Sequence, residues 1–203
     1  MLVPLLECSF GTNDTGIFFC HEVHDNNISL QYPRVPPWSS FLPNTIMSTI
    51  NFYSVRDKSY GCFSNFHMSP VLIDGVEYPS VEHWFHCMKT FNVKRREQIR
   101  AATSAGKAAK MGRARKATVL RNDWETIKDD VMYRGCLAKF SQHPNLWAVL
   151  DGTGDAVLVE HTKNDRYWGD GGDGSGRNQL GKTLMRVREE LRAGYALMAM
   201  RNI

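Results

Sequence analysis

The sequence predicts a helix-rich domain with a few short strands over most of its 203 residues. Apolar residues recur at helical spacing in the segments that follow positions 79, 123 and 179. Short runs of strand-forming residues alternate with turn residues elsewhere, and one Asp-Gly pair marks a hairpin. Apolar content of 42% and charged content of 23% are ordinary for a globular protein with one sizeable core.

Composition also limits the compartment and the cofactors. The five cysteines are odd in number and form no Cys-x-x-Cys pair, which argues against a disulfide framework and against a zinc site. No apolar run approaches the roughly 18 residues of a membrane span, and the first six residues lack the basic residue of a secretory signal. We expect a cytoplasmic or nuclear protein in a reducing environment, without membrane association, metal or cofactor.

The first 46 residues differ from the rest of the chain. They contain five prolines and no sustained periodicity, with short strands predicted over 16–20 and 28–32. An ordered wrap over the core and a loose leader remain alternatives. Met47 begins a stretch that is typical of a domain start, and an internal initiation site is an open alternative there. We therefore divide the chain into an N-terminal extension of unclear role (1–46) and a domain over 47–203.

The first predicted elements of this domain are a strand over 50–55 and a hairpin over 71–78. Between them lies Phe-Ser-Asn-Phe (63–66), whose aromatic residues suit anchoring and whose polar residues suit a loop that offers hydrogen bonds. In the hairpin, Asp74 and Gly75 supply the positive φ of a primed turn.

The stretch from Tyr78 to Lys89 is the centre of the prediction. Proline and serine at 79 and 80 suit the start of a helix, which we expect to run to Phe91 or Asn92. Glu82, His86 and Lys89 then share one helix face at i, i+4 and i+7, and the flanking residues pack into a core: Val81, Trp84, Phe85 and Met88. The alternative is a coincidence of spacing on a solvated face.

Residues 94–121 hold ten Lys and Arg residues against one acid, Glu97. Helices are predicted over 94–102 and 104–111, with Gly112 as the C-terminal cap. Such a run is either a solvated face or a surface that meets the phosphates of a nucleotide or nucleic acid.

The remaining chain predicts a helix over 124–141, capped by Asn122 or Asp123, a shorter helix over 146–150 and a strand over 156–160. A glycine-rich loop over 165–181 leads into a last helix that ends near Gly194, with four leucine or valine residues inward: Leu180, Leu184, Val187 and Leu191. The loop lacks the patterns of a P-loop and of a calcium site. It offers groups that suit a sugar or a base, although Trp168 is equally suited to plugging the core: Asp165, Trp168, Asp170 and Asn178.

Four motifs fall in one order: residues 63–66, 78–89, 159–169 and 176–181. Together they resemble the NADAR family, also called YbiA-like, over roughly residues 50–192. The resemblance implies an α+β fold, a predominantly helical single domain with a small antiparallel sheet. It also implies a hydrolase that cleaves an N-glycosidic bond.

The resemblance leaves three functions open. One is removal of ADP-ribose from guanine bases of DNA or RNA, which we favour because of the basic run. The second is cleavage of ribosylamino-pyrimidine phosphates of riboflavin biosynthesis. The third is a non-catalytic ADP-ribose-binding module.

Carried over motif by motif, the resemblance implies a site whose lining residues are Asn65, Glu82, Lys89, Asp165, Trp168, Gly169 and Asn178. We add Arg56 and His86 as substrate-binding residues; His86 stands where the family often has Gln, and Ser80 where it often has Thr. The predicted catalytic residues are Glu82, Lys89 and Asp165.

Two routes to cleavage remain. In one, Glu82 or Asp165 activates a water molecule directly. In the other, Lys89 attacks the sugar and forms a Schiff base, which requires a lowered lysine pKa because only the neutral amine is a nucleophile. The resemblance favours the lysine route.

Overall fold

A computed structural model of the protein describes residues 11–12, 18–19 and 48–201. The chain divides into two compact units, Met1–Thr45 and Ile46–Ile203. In the first unit, strand β1 (Gly11–Thr12) pairs antiparallel with β2 (Phe18–Phe19), which falls within the strand predicted over 16–20. The strand predicted over 28–32 and the proposed start at residue 47 lie outside the described residues.

The described part of the second unit confirms the helix-rich α+β fold. Its elements, in chain order, are β3 (Thr49–Phe52), β4 (Val71–Ile73), β5 (Val76–Tyr78), α1 (Val81–Cys87), α2 (Val93–Arg100), α3 (Ala105–Arg113), α4 (Trp124–Gln142), α5 (Pro144–Asp151), β6 (Val157–Glu160) and α6 (Gln179–Arg201). None of the described helices is both long enough and apolar enough to cross a bilayer.

Two strand pairs frame the second unit. Strands β4 and β5 form the predicted antiparallel hairpin, and both turn residues have positive φ, 52° at Asp74 and 76° at Gly75. Strand β3 pairs in parallel with β6, with Ile50 opposite Leu158. Parallel strands require a long crossover connection, and here the chain between β3 and β6 contains the hairpin and five helices. Glu160 is the last residue of β6.

Helix α1 lies at the centre of the core. Ser80 caps it by accepting the His83 N–H, as the sequence predicts. Every residue of α1 is buried, and the Trp84 indole donates to the Val131 carbonyl of α4 at 2.8 Å. A Cβ at Gly135 of α4 would lie 2.8 Å from the Trp84 ring, so glycine allows α1 and α4 to pack this closely.

Helix α1 ends earlier than predicted, at Cys87 instead of Phe91 or Asn92. The following turn is held by tertiary hydrogen bonds: the Lys89 carbonyl accepts the Arg121 N–H at 2.8 Å, and the Thr90 carbonyl accepts the Arg96 Nε–H at 2.6 Å. Both carbonyls find their partners outside α1, and local sequence does not reveal such distant partners. Lys89 therefore lies just beyond the helix that carries Glu82.

Two glycines have roles other than those predicted. Gly112 lies inside α3 and does not cap it; a Cβ there would be 2.2 Å from Nδ1 of His86, so its role is close packing on α1. Helix α6 continues through Gly194 to Arg201, and Tyr195 stacks on Trp147 with ring centroids 5.6 Å apart. Such distant packing stabilises a helical segment that the sequence pattern alone would end.

Candidate active site

A cavity of about 270 Å³ opens beside α1. Its wall combines the 64–66 segment, α1, the ends of α3 and β6, and the start of the glycine-rich loop. Six predicted site residues line it together: Asn65, Glu82, His86, Lys89, Asp165 and Trp168. The other lining residues are Ser64, Phe66, Phe85, Arg113, Met132 and Glu160.

Glu82 is the buried acid of helix α1. Only 5% of the residue is exposed, and Oε1 accepts a hydrogen bond from Nε2 of His86 at 2.9 Å. Its backbone N–H donates to the Asn65 carbonyl at 3.2 Å, which ties the 64–66 segment to α1. A guanidinium nitrogen of Arg113 lies 3.8 Å from the same Oε1.

His86 orients this carboxylate and stays neutral near pH 7. Burial lowers the pKa of the imidazole, although its hydrogen bond to Glu82 acts in the opposite direction. The ring proton then resides on Nε2, where it is donated to Glu82. Nδ1 is buried against Gly112 and has no partner among the described residues.

Lys89 presents its amine to the cavity from the turn after α1. Nζ lies over two aromatic rings, 5.0 Å from the centroid of Phe85 and 5.5 Å from that of Trp124. Burial lowers the pKa of Lys89 to about 8; Glu82 opposes this shift and Arg113 adds to it. At this pKa about a tenth of the amine is neutral at pH 7, far more than for an ordinary lysine.

Glu160 is a second, half-buried acid in the wall, and the sequence motifs did not single it out as a site residue. Burial raises the pKa of Glu160 to about 7, and the negative charges of Asp165 and Glu82 add to the shift. Oε2 is buried with no hydrogen-bond partner among the described residues. Strand alternation offered a signal, because Glu160 shares a face of β6 with the fully buried Leu158.

Asp165 and Trp168 bring the glycine-rich loop to the cavity. Oδ1 of Asp165 accepts the backbone N–H groups of Tyr167 at 2.8 Å and Trp168 at 2.7 Å, so this acid also shapes the loop. The Trp168 ring packs edge-on against Phe85, with centroids 5.4 Å apart. Trp168 thus combines the two roles that the sequence left as alternatives, because it packs on the core and lines the cavity.

Three predicted site residues are not among those that line the cavity: Arg56, Gly169 and Asn178. Asn178 accepts the Glu160 N–H at 2.9 Å and donates to the Leu158 carbonyl at 2.8 Å, so it anchors the end of β6. A Cβ at Gly169 would lie 2.8 Å from the Glu160 carbonyl oxygen. Both residues therefore contact the backbone of Glu160 and help to position it without lining the cavity. Arg56 lies on an exposed turn.

Asp170, the remaining loop residue that the sequence offered for contact with a sugar or a base, instead stabilises the loop. Its carboxylate accepts the N–H groups of Thr162 at 3.1 Å and Gly172 at 2.8 Å, and it pairs with His161 at 2.7 Å. Among the described residues, no group of three or more His, Cys, Asp or Glu side chains could hold a metal ion.

Residues 51–192 match the model of the NADAR domain family. The chain belongs to this family. A relative from Escherichia coli (strain K12), named N-glycosidase YbiA, is 51% identical over 142 residues, which cover 70% of this chain and 88% of that protein. The matched segment contains every cavity residue, so the NADAR domain carries the whole site.

Further relatives extend the comparison. An N-glycosidase of Nostoc punctiforme is 41% identical over 147 residues, covering 71% of this chain and 93% of the relative. A riboflavin biosynthesis protein of Vibrio vulnificus is 38% identical over 148 residues, covering 73% of this chain and 40% of the relative. The NMR structure of E. coli YbiA superimposes with a TM-score of 0.68 at 48% identity, covering 73% of this chain and 88% of that structure, so the NADAR domain here has the YbiA fold.

Proposed function

We propose that this NADAR domain is an N-glycosidase that removes ADP-ribose from guanine bases of nucleic acid. One observation carries the proposal: an amine with a pKa of about 8 and a carboxyl with a pKa of about 7 share one cavity wall with the buried Glu82. Near neutral pH these groups can supply a nucleophile and a proton donor together. The relatives named N-glycosidases support the class of bond.

In the first step, neutral Nζ of Lys89 attacks the anomeric carbon of the ribose. The carbon–nitrogen bond to the base breaks, and its electron pair leaves with the base nitrogen, which takes the proton of Glu160. The Glu82 carboxylate stabilises the positive charge that develops on the sugar. The bond between the anomeric carbon and the ring oxygen then breaks while one Nζ proton passes to that oxygen, which leaves an open-chain sugar and a protonated imine between the anomeric carbon and Lys89.

In the second step, water adds to the imine carbon. A carboxylate, Glu82 or Asp165, accepts a proton of that water and returns it to the nitrogen. The carbon–nitrogen bond then breaks as the new hydroxyl loses its proton to the same carboxylate and becomes a carbonyl, which releases neutral Lys89 and free ADP-ribose. Direct attack of water on the anomeric carbon, with the same two acids as candidate bases, gives the same products without a covalent intermediate.

Reduction by borohydride separates these routes. The protein is incubated with an ADP-ribosylated-guanine oligonucleotide and sodium borohydride, and peptides are then analysed by mass spectrometry. The lysine route predicts a stable adduct on Lys89, with none on the protein without substrate. Base release without any adduct, under conditions where borohydride is active, would support direct attack by water.

The preference for nucleic acid comes from the placement of the basic run. Four of its ten cations hold the fold through intramolecular hydrogen bonds: Arg95, Arg96, Arg100 and Arg121. Five others are exposed on the solvent face of α3 and in the turn after it: Lys107, Lys110, Arg113, Arg115 and Lys116. Arg113 also lines the cavity, so this basic surface begins at the cavity mouth.

A direct comparison of substrates tests this preference. We expect release of ADP-ribose from modified DNA or RNA, with kcat/KM that falls steeply as salt rises because several phosphate contacts are lost. Faster cleavage of a ribosylamino-pyrimidine phosphate would instead favour the riboflavin-related function, which the similarity to the Vibrio vulnificus protein supports. Stoichiometric ADP-ribose binding that survives loss of Lys89, with no base release, would identify a binding module.

A further inference from the structure

A second groove of about 260 Å³ lies on the basic part of the domain, outside the catalytic cavity. It is bordered by two segments, 90–92 and 119–122. Three of its apolar side chains are largely exposed, with 64% of Phe91, 75% of Val119 and 47% of Leu120 open to solvent. The proposed hydrolysis uses none of these residues.

Two strips of chain connect residues of the groove with residues of the catalytic cavity. Lys89 lines the cavity and Thr90 lines the groove, and the Lys89 carbonyl accepts the N–H of Arg121, another groove residue. A second strip of chain also joins the two sites, because Arg113 lines the cavity and the chain reaches the groove six residues later at Val119.

Phe91 forms a braced aromatic platform in this groove. The guanidinium carbon of Arg121 lies 4.4 Å from the Phe91 ring centroid, and that of Arg96 lies 6.0 Å away. Arg121 is itself fixed by two hydrogen bonds to Asp123, at 2.5 and 2.7 Å. An exposed aromatic ring backed by arginine is the arrangement on which unpaired nucleobases stack.

Two cations lie in the second strip of chain, between Arg113 of the cavity and Val119 of the groove. Arg115 and Lys116 are exposed, and neither forms an ion pair within the described residues. They suit the phosphate that links two neighbouring nucleotides, whereas an apolar peptide would leave this charge unmatched.

We propose that this groove binds the unpaired base next to the modified guanine of a nucleic-acid strand. The base stacks on Phe91, and Arg115 and Lys116 contact the intervening phosphate. This inference rests on the proposed function, since it assigns a subsite to the same substrate. It predicts that the protein prefers a modified guanine within a single strand over the same modified guanine as a free nucleoside.

The test compares two substrates and three proteins. ADP-ribosylated guanine is presented in a single-stranded oligonucleotide and as an isolated nucleoside, to the wild type, to Phe91→Ala and to the control Val93→Ala. Val93 is 70% exposed on the same surface but is not among the groove residues. We expect Phe91→Ala to lower kcat/KM for the oligonucleotide by about 5- to 100-fold, the usual effect of one stacked base, and to leave nucleoside cleavage unchanged.

A binding measurement keeps the inference separate from catalysis. An unmodified single strand with 2-aminopurine beside a guanine should lose fluorescence on binding the wild type or Phe91→Trp, and much less with Phe91→Ala. Equal loss of activity on both substrates, or no loss on either, would overturn the groove assignment. If no protein cleaves either substrate, the proposed function fails, whereas the fluorescence result still decides whether the groove binds a base.

Discussion

Two lysines of this domain, one half-buried and one fully buried, have the same lowered pKa but occupy different surroundings. Burial lowers the pKa of Lys89 and of Lys139 to about 8. Lys139 is 1% exposed in α4, and its amine donates to the Ser64 carbonyl at 3.0 Å. The Lys89 amine faces the cavity above two aromatic rings and has no hydrogen-bond partner among the described side chains and backbone groups.

The comparison shows that a lowered pKa does not by itself identify a nucleophile. Both amines are neutral in a substantial fraction near pH 8, but only Lys89 has open space in which a sugar carbon can approach. Lys139 acts through Ser64, since its hydrogen bond holds the segment that carries Asn65 into the cavity wall. Four predictions test the roles of these two lysines and of the two acids that share the cavity with Lys89, from the largest expected effect to the smallest.

Removal of the cavity amine should have the largest effect. Lys89→Ala is expected to lower kcat by at least about 100-fold, because it removes the nucleophile. The comparison variant is Lys139→Met, which should lower kcat far less than Lys89→Ala does, because that amine does not meet substrate and only its bond to the Ser64 carbonyl is lost. Steady-state base release measures both, and near-normal turnover by Lys89→Ala would exclude the covalent route.

Loss of the buried carboxylate of α1 should be nearly as severe. Glu82→Ala is expected to lower kcat by at least about 100-fold, because charge on the sugar is then no longer stabilised. Circular dichroism checks that the variant folds. His86→Gln is the milder comparison, since an amide can still donate to Glu82; a loss as large as that of Glu82→Ala would assign His86 a direct chemical role.

Titration of Glu160 should determine how kcat/KM falls at alkaline pH. The active form needs neutral Lys89 and protonated Glu160, so kcat/KM of the wild type should be bell-shaped, with its maximum between about pH 7 and 8. Glu160→Gln should lower the maximum by about 10- to 100-fold and remove the alkaline limb. Its residual rate should rise up to about pH 8 and then level off, and an alkaline limb that persists would point to another proton donor.

The smallest effect concerns stability and belongs to Lys139. Its folded-state pKa of about 8 lies below the ordinary 10.5, so between these values the unfolded chain holds a proton that the folded chain lacks. The free energy of unfolding therefore rises with pH in this window, by on the order of 1 kcal/mol per pH unit for one lysine. In urea unfolding of Lys139→Met, the rise of the unfolding free energy per pH unit should be smaller by this amount. An unchanged pH dependence would mean that folding does not lower the pKa of Lys139.

Local patterns sufficed for several elements and for much of the cavity wall. The hairpin turn at Asp74 and Gly75, the serine cap of α1 and the inward face of α4 follow from short-range preferences, which the sequence displays directly. The helical spacing of Glu82 and His86 placed both in one cavity. The pattern failed where distant partners intervened: the turn after α1 is bonded to Arg121 through the Lys89 carbonyl, and Gly112 packs on His86.

The sequence by itself therefore determined the family, the helix-rich fold class and six of the residues that meet at the cavity, because motif order and helical periodicity are local properties. Only the tertiary structure shows that Glu160 also lines the cavity and that Asn178 and Gly169 contact its backbone outside the cavity. It also decided which of the two lysines with a lowered pKa faces an open cavity. The parallel pairing of β3 with β6 joins residues about a hundred positions apart, and the burial that shifts the pKa of Lys89 and Glu160 exists only once these segments pack.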